Sequence, residues 1–183
     1  MTRTKTLSFL GAGMAAAAFA ATAFIGTAQA ALPVGATAPD FTTRGALAGK
    51  IFTLKLKDEL KKGPVVLYFF PAAFTPGCTA EAHEFAEATD EFKKAGATVI
   101  GMSADPVDKL AKFSTEECRD KFAVASAGPK VIEDYQVALK MKAGLTDRTS
   151  YVIGKSGKIA YVHSALDYKD HVKNTLEAVR HMN

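Results

Sequence analysis

Two hydrophobic periods alternate along this chain, and the point where one gives way to the other organises the rest. Residues 65–70 form an unbroken apolar run, Val-Val-Leu-Tyr-Phe-Phe, bounded by Gly63-Pro64 and Pro71. Such a run, rich in β-branched and aromatic types, predicts a short strand buried on both faces. Downstream, Ala82, Phe85, Ala86, Thr89 and Phe92 recur at three- and four-residue steps with acids and lysines between them, and Gly96 follows. That pattern predicts an amphipathic helix with a glycine stop.

Residues 97–102 read as the next apolar strand, and Ser103-Ala104-Asp105-Pro106 predicts a second helix with Asp105 as its cap and Pro106 in its first position. Val107, Leu110, Ala111, Ser114 and Cys118 then fall on one face of it. Strand, helix and strand in this order predict a parallel pair with a right-handed crossover. Further on, residues 122–125 suggest a short strand and 130–143 a broken helix. Residues 148–153 and 158–163 make a hairpin around Gly154-Lys155-Ser156-Gly157, and Asp167 is expected to cap a terminal helix with Val172, Leu176 and Val179 inward. Before the central strand, residues 38–41 and 51–56 read as two short strands and 57–62 as a helical turn. The layout is α/β, a sheet with helices on both faces.

The first 30 residues stand apart. Arg3 and Lys5 give a basic start, residues 7–25 are uncharged and apolar, and Ala28-Gln29-Ala30 fits a small-x-small cleavage site. A cleaved signal peptide over 1–30 and one domain over 31–183 are expected, with an uncleaved membrane anchor as the alternative reading. Without that segment, the 23 basic residues lose Arg3 and Lys5, and against 19 acids the charge falls from +4 to about +2. No basic run remains to suggest nucleic acid. After cleavage no stable membrane association is expected, and the protein is expected in the periplasm or another exported compartment.

The two cysteines, Cys78 and Cys118, carry the candidate chemistry. Cys78 falls in the first turn of the predicted helix, where unpaired backbone N–H groups and the positive end of the macrodipole favour thiolate over thiol. An exported compartment also permits a structural Cys78–Cys118 disulfide. Metal binding is a weaker reading, because two cysteines and four scattered histidines show no ligand spacing.

Pro71, Thr75 and Cys78 fit the P-x-x-x-T-x-x-C pattern of the peroxiredoxins, and the phrase TPGCTAEA at 75–82 resembles the branch called bacterioferritin comigratory protein, or Q-type peroxiredoxin. The resemblance runs from about Gly35 to the C-terminus. It implies a thioredoxin-like fold, a mixed sheet with an added N-terminal hairpin, and no cofactor. It implies a thiol peroxidase that reduces hydrogen peroxide and organic hydroperoxides at Cys78 and is re-reduced by a thioredoxin-like thiol donor.

By the same resemblance Arg148 is the arginine of the active site, and Glu81 is expected to orient it. Thr75, whose hydroxyl both donates and accepts, would hold peroxide oxygen against sulfur, and Pro71 would supply a wall without a competing N–H. Many members of the branch place a resolving cysteine five residues after the first, where this chain has His83. Cys118, forty residues on, resembles the position used by others and is expected to resolve Cys78. Two other readings remain open at this point: a thiol-disulfide oxidoreductase, weakened by the lack of a second cysteine two residues from Cys78, and a non-catalytic domain with a structural disulfide.

Overall fold

In a computed structural model of the protein, the described residues are 1–2 and 31–182. The signal peptide expected over 1–30 therefore lies almost wholly outside the described residues. Seven strands, β1 (Thr42–Leu47), β2 (Lys50–Lys55), β3 (Val65–Phe69), β4 (Thr98–Ser103), β5 (Ala123–Ser126), β6 (Thr149–Ile153) and β7 (Ile159–Ser164), form one sheet in the order β2-β1-β5-β4-β3-β6-β7. The pairs β3/β4 and β4/β5 are parallel, and all others are antiparallel. Five helices complete the chain: α1 (Leu56–Lys62), α2 (Pro76–Lys94), α3 (Val107–Glu116), α4 (Pro129–Asp134) and α5 (His171–Arg180).

The unbroken apolar run is β3, which lies between the central strand β4 and β6 at one side of the parallel trio, and its side chains divide between two cores. Val66, Tyr68 and Phe70 enter a cluster with Cys78, Ala82, Phe85 and Phe92 of α2, Leu110 and Phe113 of α3 and Val179 of α5. Val65, Leu67 and Phe69 enter the other, with Leu56 and Leu60 of α1, Tyr135, Val137 and Tyr151. An alternating backbone sends successive side chains to opposite faces, so a strand covered on both sides must be apolar throughout. The Tyr68 ring stacks on Phe85 at a centroid distance of 4.2 Å, fixing α2 over the middle of the sheet.

Helix α2 ends as its sequence predicts. Gly96 has φ +75°, its N–H bonds the Lys93 carbonyl, and the Ala97 N–H bonds that of Phe92. This is the double closure for which a glycine at the left-handed position is suited. Ala82, Phe85, Ala86, Thr89 and Phe92 are all buried, as the periodicity predicts.

Four local expectations are corrected. Residues 38–41 do not open a strand: β1 starts at Thr42, and Pro39, which has no N–H to give a ladder, leaves Thr37 only an isolated bridge to Lys158. The helix expected over 130–143 stops at Asp134, because Gln136 takes φ +56° and closes the turn on Glu133 while Val137 bonds Ile132. Asp105 does not cap α3; Pro106 is the capping residue, with no side-chain cap. Asp167 likewise leaves the cap of α5 to Asp170, at φ +67°, and instead accepts the Lys169 N–H at 3.2 Å.

Candidate active site

The loop from β3 to α2, residues 70–75, is held from three directions. The Phe70 N–H bonds the Met102 carbonyl at 2.9 Å, and the Phe70 carbonyl accepts the buried Thr146 hydroxyl at 2.6 Å. The Ala73 N–H donates to Asp105 Oδ2 at 2.7 Å, and the same carboxylate takes the Ser103 hydroxyl at 2.8 Å and Lys109 Nζ at 2.7 Å. Burial works against the Asp105 charge, yet the Ala73 N–H, Lys109 and Ser103 outweigh it and hold the carboxyl below its ordinary range. Phe74 sits at φ +66° with its ring edge-on to Phe113 at 5.2 Å. Pro71 occupies this loop directly after β3 and is half-buried.

Thr75 is the N-cap residue of α2 with extended backbone, and Pro76 takes the first helical position. The Thr75 hydroxyl does not cap the helix; it donates to the Ala72 carbonyl at 2.9 Å. Its lone pairs remain on an exposed side chain at the helix start. Cys78 is the third residue of the helix and is 2% exposed. Its sulfur therefore lies in the first turn, as its position in the sequence implies.

Arg148, immediately ahead of β6, crosses to this turn. Its Nη2 lies 3.5 Å from Cys78 Sγ, its Nε donates to the Leu166 carbonyl at 2.8 Å, and its Nη1 is paired to Glu81 Oε2. Burial of Arg148 opposes its charge, but Glu81 and Cys78 more than offset that, so the guanidinium is held cationic. Gly77 lies beside this side chain: a Cβ there would make ordinary contact, 3.4 Å from Arg148 Nη2 and 3.9 Å from Tyr168. Glu81 has no exposure, and burial pushes its carboxyl up to about 8 against the pull of Arg148. A permanently charged planar donor fixed on three sides stabilises negative charge at sulfur without having to reorganise.

Cys118 is placed differently from the expectation. It lies in the turn after α3, not on the helix face, with its N–H bonded to the Phe113 carbonyl, and Arg119 and Asp120 follow at φ +51° and +57°. Its side chain is fully buried, and burial, with Glu117 and Asp120 adding to it, pushes the thiol well up. Both cysteines are free thiols. The Tyr68 hydroxyl, buried without a hydrogen-bond partner, feels both cysteines and Glu81. His83 pairs at 2.7 Å with Glu117, the neighbour of Cys118, on a half-buried surface.

The AhpC/TSA family profile matches residues 34–162, a span that contains Pro71, Thr75, Cys78, Glu81 and Arg148 and leaves out Leu166 and α5. The chain belongs to the AhpC/TSA family. It is 33% identical over 147 residues to the putative peroxiredoxin Q, chloroplastic, of Oryza sativa subsp. indica, covering 80% of this chain and 66% of that protein. The peroxiredoxin Q, chloroplastic, of Sedum lineare is 31% identical over 147 residues, covering 80% of this chain and 77% of its own length. The chain thus spans about two thirds of the length of the rice relative. Among solved structures, peroxidoxin BcpB from Mycobacterium tuberculosis superposes with a TM-score of 0.72 at 34% identity, over 82% of this chain and 97% of that one. The fold of this AhpC/TSA domain is thioredoxin-like, as the resemblance implied.

Of the residues singled out from the AhpC/TSA motif, the structure brings Cys78, Arg148 and Glu81 into contact and sets Thr75 one turn ahead of the sulfur. Asp105, His171 and Ser150 escaped the sequence reading. Asp105 carried a competing signal, since Asp-Pro ahead of a periodic stretch reads as a helix cap. His171 and Ser150 carried none, because the pairs that make them interesting are 21 and more residues apart in sequence.

Proposed function

We propose that this protein is a thiol-dependent peroxidase that reduces hydrogen peroxide and organic hydroperoxides at Cys78. The observation that carries the reading is the 3.5 Å approach of Arg148 Nη2 to Cys78 Sγ at the start of α2, in a guanidinium held by Glu81 and the Leu166 carbonyl. The Cys78 thiolate attacks one peroxide oxygen, the O–O bond breaks, and the leaving oxygen departs with the bonding pair and takes up a proton as water or an alcohol. Sulfur has then lost two electrons and stands as sulfenic acid. Arg148 and the N–H groups at the helix start meet the negative charge as it spreads over sulfur and oxygen. Thr75 holds the peroxide through its free lone pairs, and Pro71 walls the site.

Cys118 is the resolving thiol in this reading. Its sulfur attacks the Cys78 sulfenic acid, water leaves, and the resulting disulfide is returned to two thiols by a thioredoxin-like donor supplying two electrons. A disulfide needs Cα atoms within about 7 Å, so the strained turn at Arg119 and Asp120 must open and bring Cys118 out of the core. The protein works in an exported compartment after removal of residues 1–30. Among the described residues no helix is long and apolar enough to cross a membrane.

Stopped-flow mixing of reduced protein with peroxide tests the reading. Wild type should consume hydrogen peroxide far faster than free cysteine does and Cys78→Ser should not; equal rates for wild type and free cysteine would remove it. Intact mass spectrometry of the protein from cells tests the removal of residues 1–30, since a full-length mass in a membrane fraction contradicts it.

A further inference from the structure

Glu81 pairs with Arg148 through one oxygen only. The other, Oε1, is buried and has no hydrogen-bond partner. An unpaired oxygen at full burial calls for an explanation, and His171 Nδ1 lies 3.8 Å from it. His171 opens α5 with its side chain wholly buried. Its Nε2 stands 3.0 Å from the Ala165 carbonyl oxygen and its Nδ1 2.8 Å from Ser150 Oγ.

These contacts fix the proton on the ring. A carbonyl oxygen only accepts, so Nε2 carries the hydrogen, and in the neutral ring Nδ1 is then a lone pair that takes the Ser150 hydroxyl. Burial keeps the ring neutral, lowering it to about 4. A carboxylate Oε1 beside that lone pair finds no donor. A protonated Glu81, in contrast, has one hydrogen to give, and a small rotation of its carboxyl brings Oε1 onto Nδ1 in place of Ser150.

We propose that His171 is a positioning residue for Cys78: its Nδ1 receives the proton-bearing Oε1 of Glu81 when the thiol ionises, so that the one negative charge facing Arg148 passes from carboxylate to sulfur. The step balances. Cys78 S–H becomes thiolate, Glu81 carboxylate becomes carboxylic acid, and neither electrons nor net protons enter or leave. The cluster keeps a single anion opposite a single cation in both states, which avoids burying two anions against one guanidinium. Other groups reach the cluster: Tyr68 on β3, Glu84 on α2 with Asp167 and Asp170 acting on it, Arg148 before β6, and His163 on β7 with its ring centroid 4.4 Å from that of His171. This inference rests on Cys78 as the reacting thiol, and it adds a residue from α5, a helix outside the span of the family match.

The test is the rate of Cys78 alkylation by iodoacetamide in the full chain as a function of pH, read on the Cys78 peptide by mass spectrometry. His171→Leu should move the midpoint of the profile to higher pH and slow labelling on its acid side by up to about tenfold, the size of one net hydrogen bond. His171→Asn, which puts an acceptor oxygen near the place of Nδ1, should restore the profile. Ser150→Ala removes the competitor for Nδ1 and should move the midpoint the other way. A purely structural role would shift no midpoint, or shift both variants alike, and either result overturns the proposal. Should His171→Leu fail to fold, the direction of the Ser150→Ala shift decides alone. Peroxide consumption by wild type is measured separately: a protein whose profiles shift as stated but which spares peroxide would contradict the peroxidase reading and leave this one standing.

Discussion

Cys78 and Cys118 are buried to the same degree, at 2% and 0% exposure, and differ in almost everything else. Cys78 sits in the first turn of a nineteen-residue helix with a guanidinium 3.5 Å from sulfur. Cys118 sits in a turn beyond a helix end, in the same buried cluster as Phe113 and Phe122, and the charges that act on it, Glu117 and Asp120, are acids that oppose a thiolate. Burial alone therefore does not mark a thiol as inert or reactive. What distinguishes the two is the sign of the field at sulfur, set by helix end and partner residue.

Substitutions should separate the two sites in order of size. Cys78→Ser should abolish peroxide consumption, by at least about 10³-fold in stopped-flow traces, because the nucleophile itself is gone. Arg148→Ala should slow the same step by about 10²- to 10³-fold, the usual cost of losing a preorganised charged donor, without changing which cysteine is oxidised. Glu81→Ala removes the oxygen that holds Nη1, and should cost about tenfold in that rate. Cys118→Ser should leave the first turnover untouched and stop disulfide formation, so that Cys78 sulfenic acid accumulates in non-reducing peptide maps. If Cys118→Ser slowed the first turnover as much as Arg148→Ala, the contrast between the two thiols would collapse.

The smallest effect is on stability. His171 is lowered to about 4 when folded, so between that value and its ordinary 6.5 the unfolded chain binds a proton that the folded chain does not. Its contribution is present above pH 6.5 and is lost as pH falls toward 4. In urea unfolding, the stability of wild type relative to His171→Asn should fall across that window as pH is lowered.

Most of the frame was legible because it rests on period and punctuation. The run at 65–70, short, β-branched and aromatic between Gly63-Pro64 and Pro71, read as a strand covered on both faces, and the α2 stripe with Gly96 specified a helix, its inner face and its end. What failed was local chemistry with two uses. Asp105 reads as a cap, but its carboxylate goes to Ala73 N, 32 residues away, and holds the active-site loop. The helix expected past Asp134 was stopped by Gln136 in a left-handed conformation that the residue type does not announce. Within the site, Cys78, Thr75 and Pro71 stood in one contiguous phrase, Arg148 was named by resemblance, and Glu81 by its three-residue step from Cys78 along the helix. His171 reaches Glu81, and Ser150 reaches His171, only through tertiary packing of α5 on α2 and β6, which no short stretch of sequence encodes.

The most direct test of Cys78 as the reacting thiol treats fully reduced wild-type protein with less than one equivalent of hydrogen peroxide, quenches at short times with a sulfenic-acid trap and maps both cysteines by mass spectrometry. The trap should label Cys78 first, at a rate far above that of free cysteine, with Cys118 unlabelled at every early time. Label arriving first on Cys118, or on neither cysteine faster than on free cysteine, would contradict it.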